Sequence, residues 1–180
     1  MVASAAEVVS FWRDAGPDRW FTKDDAFDKS IKERFFDTYE AAAAGKLSGW
    51  EHSAEGTLAL LILLDQFPRN MFRGDPRTFA TDPLARAVTA GGIIRGFDAQ
   101  VPADMRAFFY LPFEHSEDLA DQERGLALYK ASNDADGLKW AEIHADIIRR
   151  FGRFPHRNAV LGRATTAEEQ AFLDGGGFAG

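Results

Sequence analysis

Leu58-Ala59-Leu60-Leu61-Ile62-Leu63-Leu64-Asp65-Gln66-Phe67-Pro68-Arg69-Asn70 is the stretch on which the fold turns. Its apolar run, Leu58 to Leu64, is far shorter than the roughly 18 to 20 residues of a membrane span, so it reads as a helix buried in a protein core. Asp65-Gln66 closes the run, and Phe67-Pro68-Arg69-Asn70 follows. The tetrad returns, one residue longer, as Phe154-Pro155-His156-Arg157-Asn158. Proline has no amide hydrogen and disfavours helix in the residue before it. Each copy is therefore expected to end a helical run and to form an ordered corner where an arginine and an asparagine converge with other polar groups.

Outward from these corners the apolar residues recur at helical spacing, most clearly Phe27, Ile31, Phe35 and Thr38 or Tyr39, and period-two alternation is hard to find. Helix starts are signalled by Asp82-Pro83, by Val101-Pro102 and by the capping box Thr166-x-x-Glu169. The pattern predicts an all-α fold of about eight helices, near residues 4 to 14, 24 to 44, 54 to 67, 83 to 95, 103 to 111, 117 to 131, 137 to 151 and 167 to 174. Among the connections, 70 to 81 is long and charged, which is more common in functional loops than in plain links.

The 180 residues, 46% of them hydrophobic, suit a single all-helical domain over 1–180. A formal charge of -7 and a pI near 5.1 argue against nucleic acid or an anionic membrane as partner, since both favour a basic face. With no cysteine in the sequence, disulfides, thiolate metal sites and a cysteine nucleophile are excluded. Met1 to Glu7 lacks the basic start of a secretory signal, so the expected location is cytoplasmic.

Four strings carry a resemblance: Trp20-Phe21-Thr22-Lys23-Asp24, Leu63 to Asn70, Phe108-Phe109-Tyr110-Leu111-Pro112-Phe113-Glu114-His115-Ser116-Glu117, and Arg150-Phe151-Gly152-Arg153-Phe154 through Asn158. With the closing Gly176-Gly177-Phe178-Ala179-Gly180, they resemble the bacterial family called domain of unknown function 924 over nearly the whole chain. The resemblance implies a helical fold of antiparallel hairpins similar to tetratricopeptide-repeat proteins, and no reaction or cofactor. Glu114 stands where the family often has methionine, so the resemblance implies no essential role for that carboxylate.

Function is sought among the arginines, which supply 15 of the 21 basic residues. Arg69, Arg73 and Arg77 follow the first corner, and Arg149, Arg150, Arg153, Arg157 and Arg163 surround the second. Guanidinium forks match carboxylate and phosphate oxygens, so the corners suit a small anionic metabolite or an acidic peptide. The expected binders are Asp65, Gln66, Arg69, Asn70, Arg73, His115, Arg153, His156, Arg157 and Asn158. The competing reading is an internal network, in which the acidic stretch 114 to 123 pairs with the basic stretch 149 to 163. Asp65, if buried, needs a cation, expected from the second corner.

Ser116 is expected to cap the helix after it, with Glu117 and Asp118 favoured by the helix dipole. His144 falls in the stripe Ala141, His144, Ile147, Ile148 and Phe151, which predicts a satisfied core histidine. An enzyme reading uses His115 or His156 as the general base of a hydrolase, with or without a metal ion, and His144 as a third imidazole. His-Glu-x-x-His, phosphate-binding and nucleophile-elbow motifs are absent, so no metal or cofactor is predicted. A third reading is a protein-interaction module. The aromatic residues Trp12, Trp20, Phe21, Trp50, Phe108, Phe109, Tyr110 and Trp140 are expected to fill the core, with one of the 108–110 triplet lining a groove, an interface or a second packing layer.

Overall fold

The computed structural model describes residues 1–178, in which helices and turns account for the chain and no strand occurs. Ala179 and Gly180, the end of the closing motif, lie outside the described residues. The chain divides into two compact units, one formed by Met1–Arg73 and Arg77–Pro112, the other by Gly74–Pro76 and Phe113–Gly180.

In the first unit, α1 (Ala5–Ala15) starts at Ser4, whose side chain forms a reciprocal capping box with Glu7. After the short α2 (Pro17–Trp20), Asp24 caps α3 (Asp25–Ala43) through the amides of Ala26 and Phe27. The periodic stripe of α3 is buried as its spacing requires: Phe27, Ile31, Phe35, Thr38 and Tyr39 all face inward. Helix α4 (Ala54–Leu61) is buried from Gly56 to Leu61. Its amphipathic signal is weak because both sides meet protein.

Pro68 does not end this helix. The backbone widens into a π turn over Ile62–Gln66, in which the Phe67 amide reaches back five residues to Ile62, and α5 (Phe67–Met71) continues with Pro68 in its first turn. In an unbroken α-helix the Leu64 carbonyl would face the nitrogen of Pro68, which has no hydrogen to give. Instead the hydroxyl of Thr81 donates to Leu64 O at 2.6 Å, and the guanidinium of Arg69 donates to Asp65 O at 2.5 Å. Arg69 and Asn70 consequently lie on a helix rather than beyond one.

Next, α6 (Asp82–Ile94) begins one residue before the predicted start. Asp82, expected as its cap, is the first helical residue, and its carboxylate turns to Arg69. Helix α6 comes close to its neighbours at Gly92, where a Cβ would lie 2.9 Å from the ring of Phe109 and 3.0 Å from Thr57. The predicted 103 to 111 helix is a 3-10 segment, Ala103–Phe109, followed by the short α7 (Leu111–Glu114). Phe108, Phe109 and Tyr110 are all buried, because this segment has protein on more than one side: Phe108 meets Trp12 and Trp20, Phe109 meets α6, and the Tyr110 hydroxyl donates to Asp98. Trp12 joins Trp20, Phe27, Phe67 and Phe108 in one aromatic cluster. Each such ring adds roughly 1.5–3 kcal/mol of burial to the unit. Phe21 and Trp140, also expected inside, are 69% and 51% exposed.

The second unit is built on a helical hairpin. Helices α8 (Leu119–Ser132) and α9 (Ala135–Phe151) pack on each other across the two-residue link Asn133-Asp134, which makes them antiparallel. Asn133 takes the left-handed conformation at φ 56, which asparagine tolerates, and Asp134 caps α9. The cap of α8 is Asp118, whose carboxylate accepts from Ala120 N–H, rather than Ser116. The Ser116 hydroxyl is occupied elsewhere, accepting from Asp118 N–H and donating to Asp121. Helix α9 ends at Gly152, with φ 68, before the second Phe-Pro corner, and α10 (Ala167–Asp174) starts on the predicted Thr166–Glu169 capping box.

Candidate functional site

The first corner lies in the first unit. Asp65 is 1% exposed and its neighbour Gln66 donates to it at 2.6 Å. Its cation is Arg69, one turn later on the same helical segment, with the nearest N–O distance 3.3 Å. The partner expected from the second corner is therefore replaced by a local one. Arg69 also forks onto Asp82 at 3.0 and 3.2 Å, which ties α5 to the start of α6. Asn70 donates to Asp28 of α3 at 2.7 Å, and Arg73 forks onto the same carboxylate at 2.5 and 3.2 Å. Thus Asp65, Gln66, Arg69, Asn70 and Arg73 are brought together, but as a set whose charges are matched by Asp28, Asp65 and Asp82. Nothing in the sequence marked Asp28 as the acceptor for this corner, because it sits 42 residues before Asn70.

The second corner lies in the second unit and follows Gly152. Phe154 is fully buried, and its N–H donates to Glu117 at 2.8 Å. Arg163 forks onto Glu117 at 2.7 and 3.0 Å while also donating to Asn158 Oδ1 and Phe154 O. Burial pushes the Glu117 carboxyl up, but the hydrogen bonds from Arg163 and the Phe154 amide outweigh it and hold the group below its ordinary value. Here the acidic stretch does pair with the basic one. Arg153 and Arg150 go elsewhere, to Glu169 and Glu168 of α10. Glu169 also accepts from Asn158 and from the Thr166 amide, and the hydrogen bonds from Arg153 first and then Thr166 lower its carboxyl to about 2. One carboxylate thus serves as capping-box member and as the centre of a polar cluster.

Arg157 and the histidines form the remaining part of this corner. Arg157 is buried, donates to His115 O at 3.0 Å and lies over the Phe154 ring at 4.5 Å. His144 directs Nδ1 at both Trp140 O, 2.8 Å, and Glu114 Oε1, 3.0 Å, which puts a proton on that nitrogen. It is the satisfied core histidine that its stripe predicts, with its ring against those of Phe154 and Phe178 and 6.3 Å from that of His115. His156 stacks beside Phe154 and Phe178 as well. Its Nδ1 is buried and, among the described residues, has no hydrogen-bond partner. Burial first, then the charge of Arg157, drives the His156 pKa down to about 3, so the ring is neutral at physiological pH. His115, His156, Arg157, Arg153 and Asn158 therefore share one corner, with the first two beside the guanidinium of Arg157.

A feature that sequence reasoning missed is a cleft of about 520 Å³ in the first unit, between α1 and α3. Ser10, Phe11, Asp14, Arg19, Phe27 and Arg34 are in its lining. Arg19 of α2 and Arg34 of α3 lie outside the two arginine-rich segments, and only the folded arrangement of α1, α2 and α3 puts both in one lining. Among the described residues, no group of three or more histidine, aspartate or glutamate side chains is arranged to hold a metal ion, and no helix is long and apolar enough to cross a membrane.

Residues 8–177 match the family model described as bacterial protein of unknown function, DUF924. A solved structure of a protein of unknown function from Agrobacterium tumefaciens is 53% identical, covers 95% of this chain and 97% of its own, and superposes with a TM-score of 0.92. No curated protein matches the chain.

Proposed function

This chain belongs to the bacterial family of unknown function DUF924, and from that premise we propose that it binds a small anionic metabolite, or the carboxylate end of an acidic peptide, at the Arg157 corner. The observation that carries the proposal is His156 Nδ1, a buried ring nitrogen without a hydrogen-bond partner among the described residues, held beside a buried guanidinium. An unmet buried polar atom is costly, and a ligand oxygen that accepts from a neutral imidazole N–H would relieve it. The same oxygen would meet the positive field of Arg157, which adds to burial in keeping His156 from protonating.

Arg69, Arg73, Arg153 and Arg163 each fork onto a carboxylate of the protein itself, so those guanidinium forks are filled. In this reading Asp65, Gln66, Arg69, Asn70 and Arg73 hold the first unit together, while Arg153 and Asn158 brace the second corner for His115, His156 and Arg157. A hydrolase that relies on His156 as general base fits less well, because an imidazole with a pKa of about 3 is a weak base at neutral pH. The site is proposed to work in the cytoplasm, as a chain without cysteine needs no oxidising compartment.

The test is thermal unfolding against phosphate, succinate and an aspartate-ended peptide. A ligand at about one hundred times its Kd adds about 2.7 kcal/mol, or roughly 5–10 °C for a chain of this size. Arg157→Lys should keep the fold and lose most of that shift, since an ammonium cannot reproduce the fork. In NMR titrations the bound anion should raise the His156 pKa. A shift that survives both Arg157→Lys and His156→Gln, or the absence of a shift with every anion, would refute the proposal.

A further inference from the structure

We infer that the cleft between α1 and α3 is a separate ligand site, suited to a small zwitterion with an aromatic side chain, that is, a free aromatic amino acid. The inference concerns the first unit and does not depend on the Arg157 corner. The floor of the cleft is made by Phe11 and Phe27, whose rings stack at 5.6 Å with 10° between their planes. Arg34 lies over Phe11 at 4.6 Å and Arg19 over Phe27 at 5.7 Å. Among the described residues neither guanidinium has a carboxylate within ion-pair distance, although Glu7 and Asp14 line the same cleft. This sets them apart from Arg69, Arg73, Arg153 and Arg163, whose forks are filled.

The two acids differ in the same way. Glu7 is occupied by the N–H and hydroxyl of Ser4, at 2.8 and 2.7 Å, in the capping box of α1. Asp14 is exposed and has no such partner among the described residues. The cleft therefore offers a cation at Arg34, whose charge reaches Glu7 without an ion pair closing its fork, an exposed anion at Asp14, and the ring of Phe11 between. Asp14 is three residues from Phe11 on one face of α1, and Arg34 lies over the Phe11 ring at 4.6 Å, so the cation and the anion flank the same ring, as the two charges on one carbon of an amino acid require. A ligand carboxylate matches the Arg34 fork, its ammonium matches Asp14, and its ring packs at Phe11, the partly exposed ring of the pair. A dianionic phosphate would have both acids facing it. The volume of about 520 Å³ also suits a small molecule rather than the face of a macromolecule.

Tryptophan emission reports the site directly, because Trp12 stacks on Phe27 at 6.0 Å and on Trp20 at 6.2 Å. Excited at a wavelength that phenylalanine does not absorb, the full chain is titrated with phenylalanine, 3-phenylpropanoate and phenethylamine. Phenylalanine should give a saturable change, and the two half-charged analogues should bind at least about tenfold more weakly. Arg34→Gln, at an exposed position, should weaken phenylalanine about tenfold or more with unchanged melting. Asp14→Asn should weaken phenylalanine but leave 3-phenylpropanoate unaffected. No saturation by about 10 mM phenylalanine, equal binding of 3-phenylpropanoate, or indifference to both substitutions would each overturn the inference.

Discussion

Replacing Arg69 with methionine tests whether the first corner is scaffold or site. Methionine keeps the length and apolar stem of the side chain and removes only the charge and the fork. The charge is what Asp65 needs: that carboxylate is 1% exposed, with Arg69 as its cation at 3.3 Å, and the side chain of Asp82, at 8%, meets the same guanidinium at 3.0 and 3.2 Å. Taking one partner out of a buried ion pair leaves an uncompensated charge and typically costs about 3–5 kcal/mol. For a chain of 180 residues this amounts to a fall in melting temperature of roughly 6–20 °C. The Asp65 carbonyl also loses its side-chain donor at 2.5 Å. Urea unfolding followed by tryptophan emission measures the loss, since Trp12 and Trp20 sit in the core of the same unit. Adding Asp65→Asn to Arg69→Met should restore part of it, because the second change removes the stranded charge. A loss below about 1 kcal/mol, or two substitutions whose costs simply add, would refute the argument that matched charge holds this corner.

Three further outcomes follow from the same geometry. Thr81→Val keeps the side-chain shape but strips the donor from Leu64 O, and should cost about 1–3 kcal/mol in urea unfolding, part of which Pro68→Ala should return by restoring an amide hydrogen. Glu169, with its folded pKa lowered to about 2, contributes stability that is fully present above its ordinary value of 4.5 and is lost as pH falls towards 2, so Glu169→Gln should flatten acid unfolding in that window. His156 behaves as a base with a lowered pKa: between 6.5 and about 3 the unfolded chain takes up a proton that the folded chain does not, stability declines as pH falls through that range, and His156→Gln should remove that slope.

The helices were legible because their signals are local. The stripe of α3, the Thr166–Glu169 box and the seven-residue apolar run each fix a helix within a few residues of chain. The Phe-Pro rule failed at Pro68 and held at Pro155 for a physical reason that is not local. At Pro68 the freed carbonyls find Thr81 and Arg69 as donors, so helix continues through a π turn; before Pro155 the chain has already left helix at Gly152. Thr81 is 17 residues from Leu64, and no pattern near the proline announces it. The ion pairs were illegible for the same reason. Asp82 and Glu169 were read as helix-start residues, which both are by position, yet their carboxylates also answer Arg69 and Arg153 across the fold.

This changes how the arginines are weighed. Clustering in sequence singled out two segments, but most guanidiniums in them meet a carboxylate of the protein, and an internally matched charge offers a ligand little. What distinguishes a binding position is chemistry still unanswered after folding: a buried ring nitrogen at His156 in one unit, and a guanidinium over stacked rings at Arg34 in the other. Arg34 stands alone in the sequence, flanked by Glu33 and Phe35, and acquires its setting only when α1 lays Phe11 beneath it. Substitutions at Arg157 and Arg34 should therefore abolish responses to different ligands while sparing stability, whereas Arg69→Met should do the reverse.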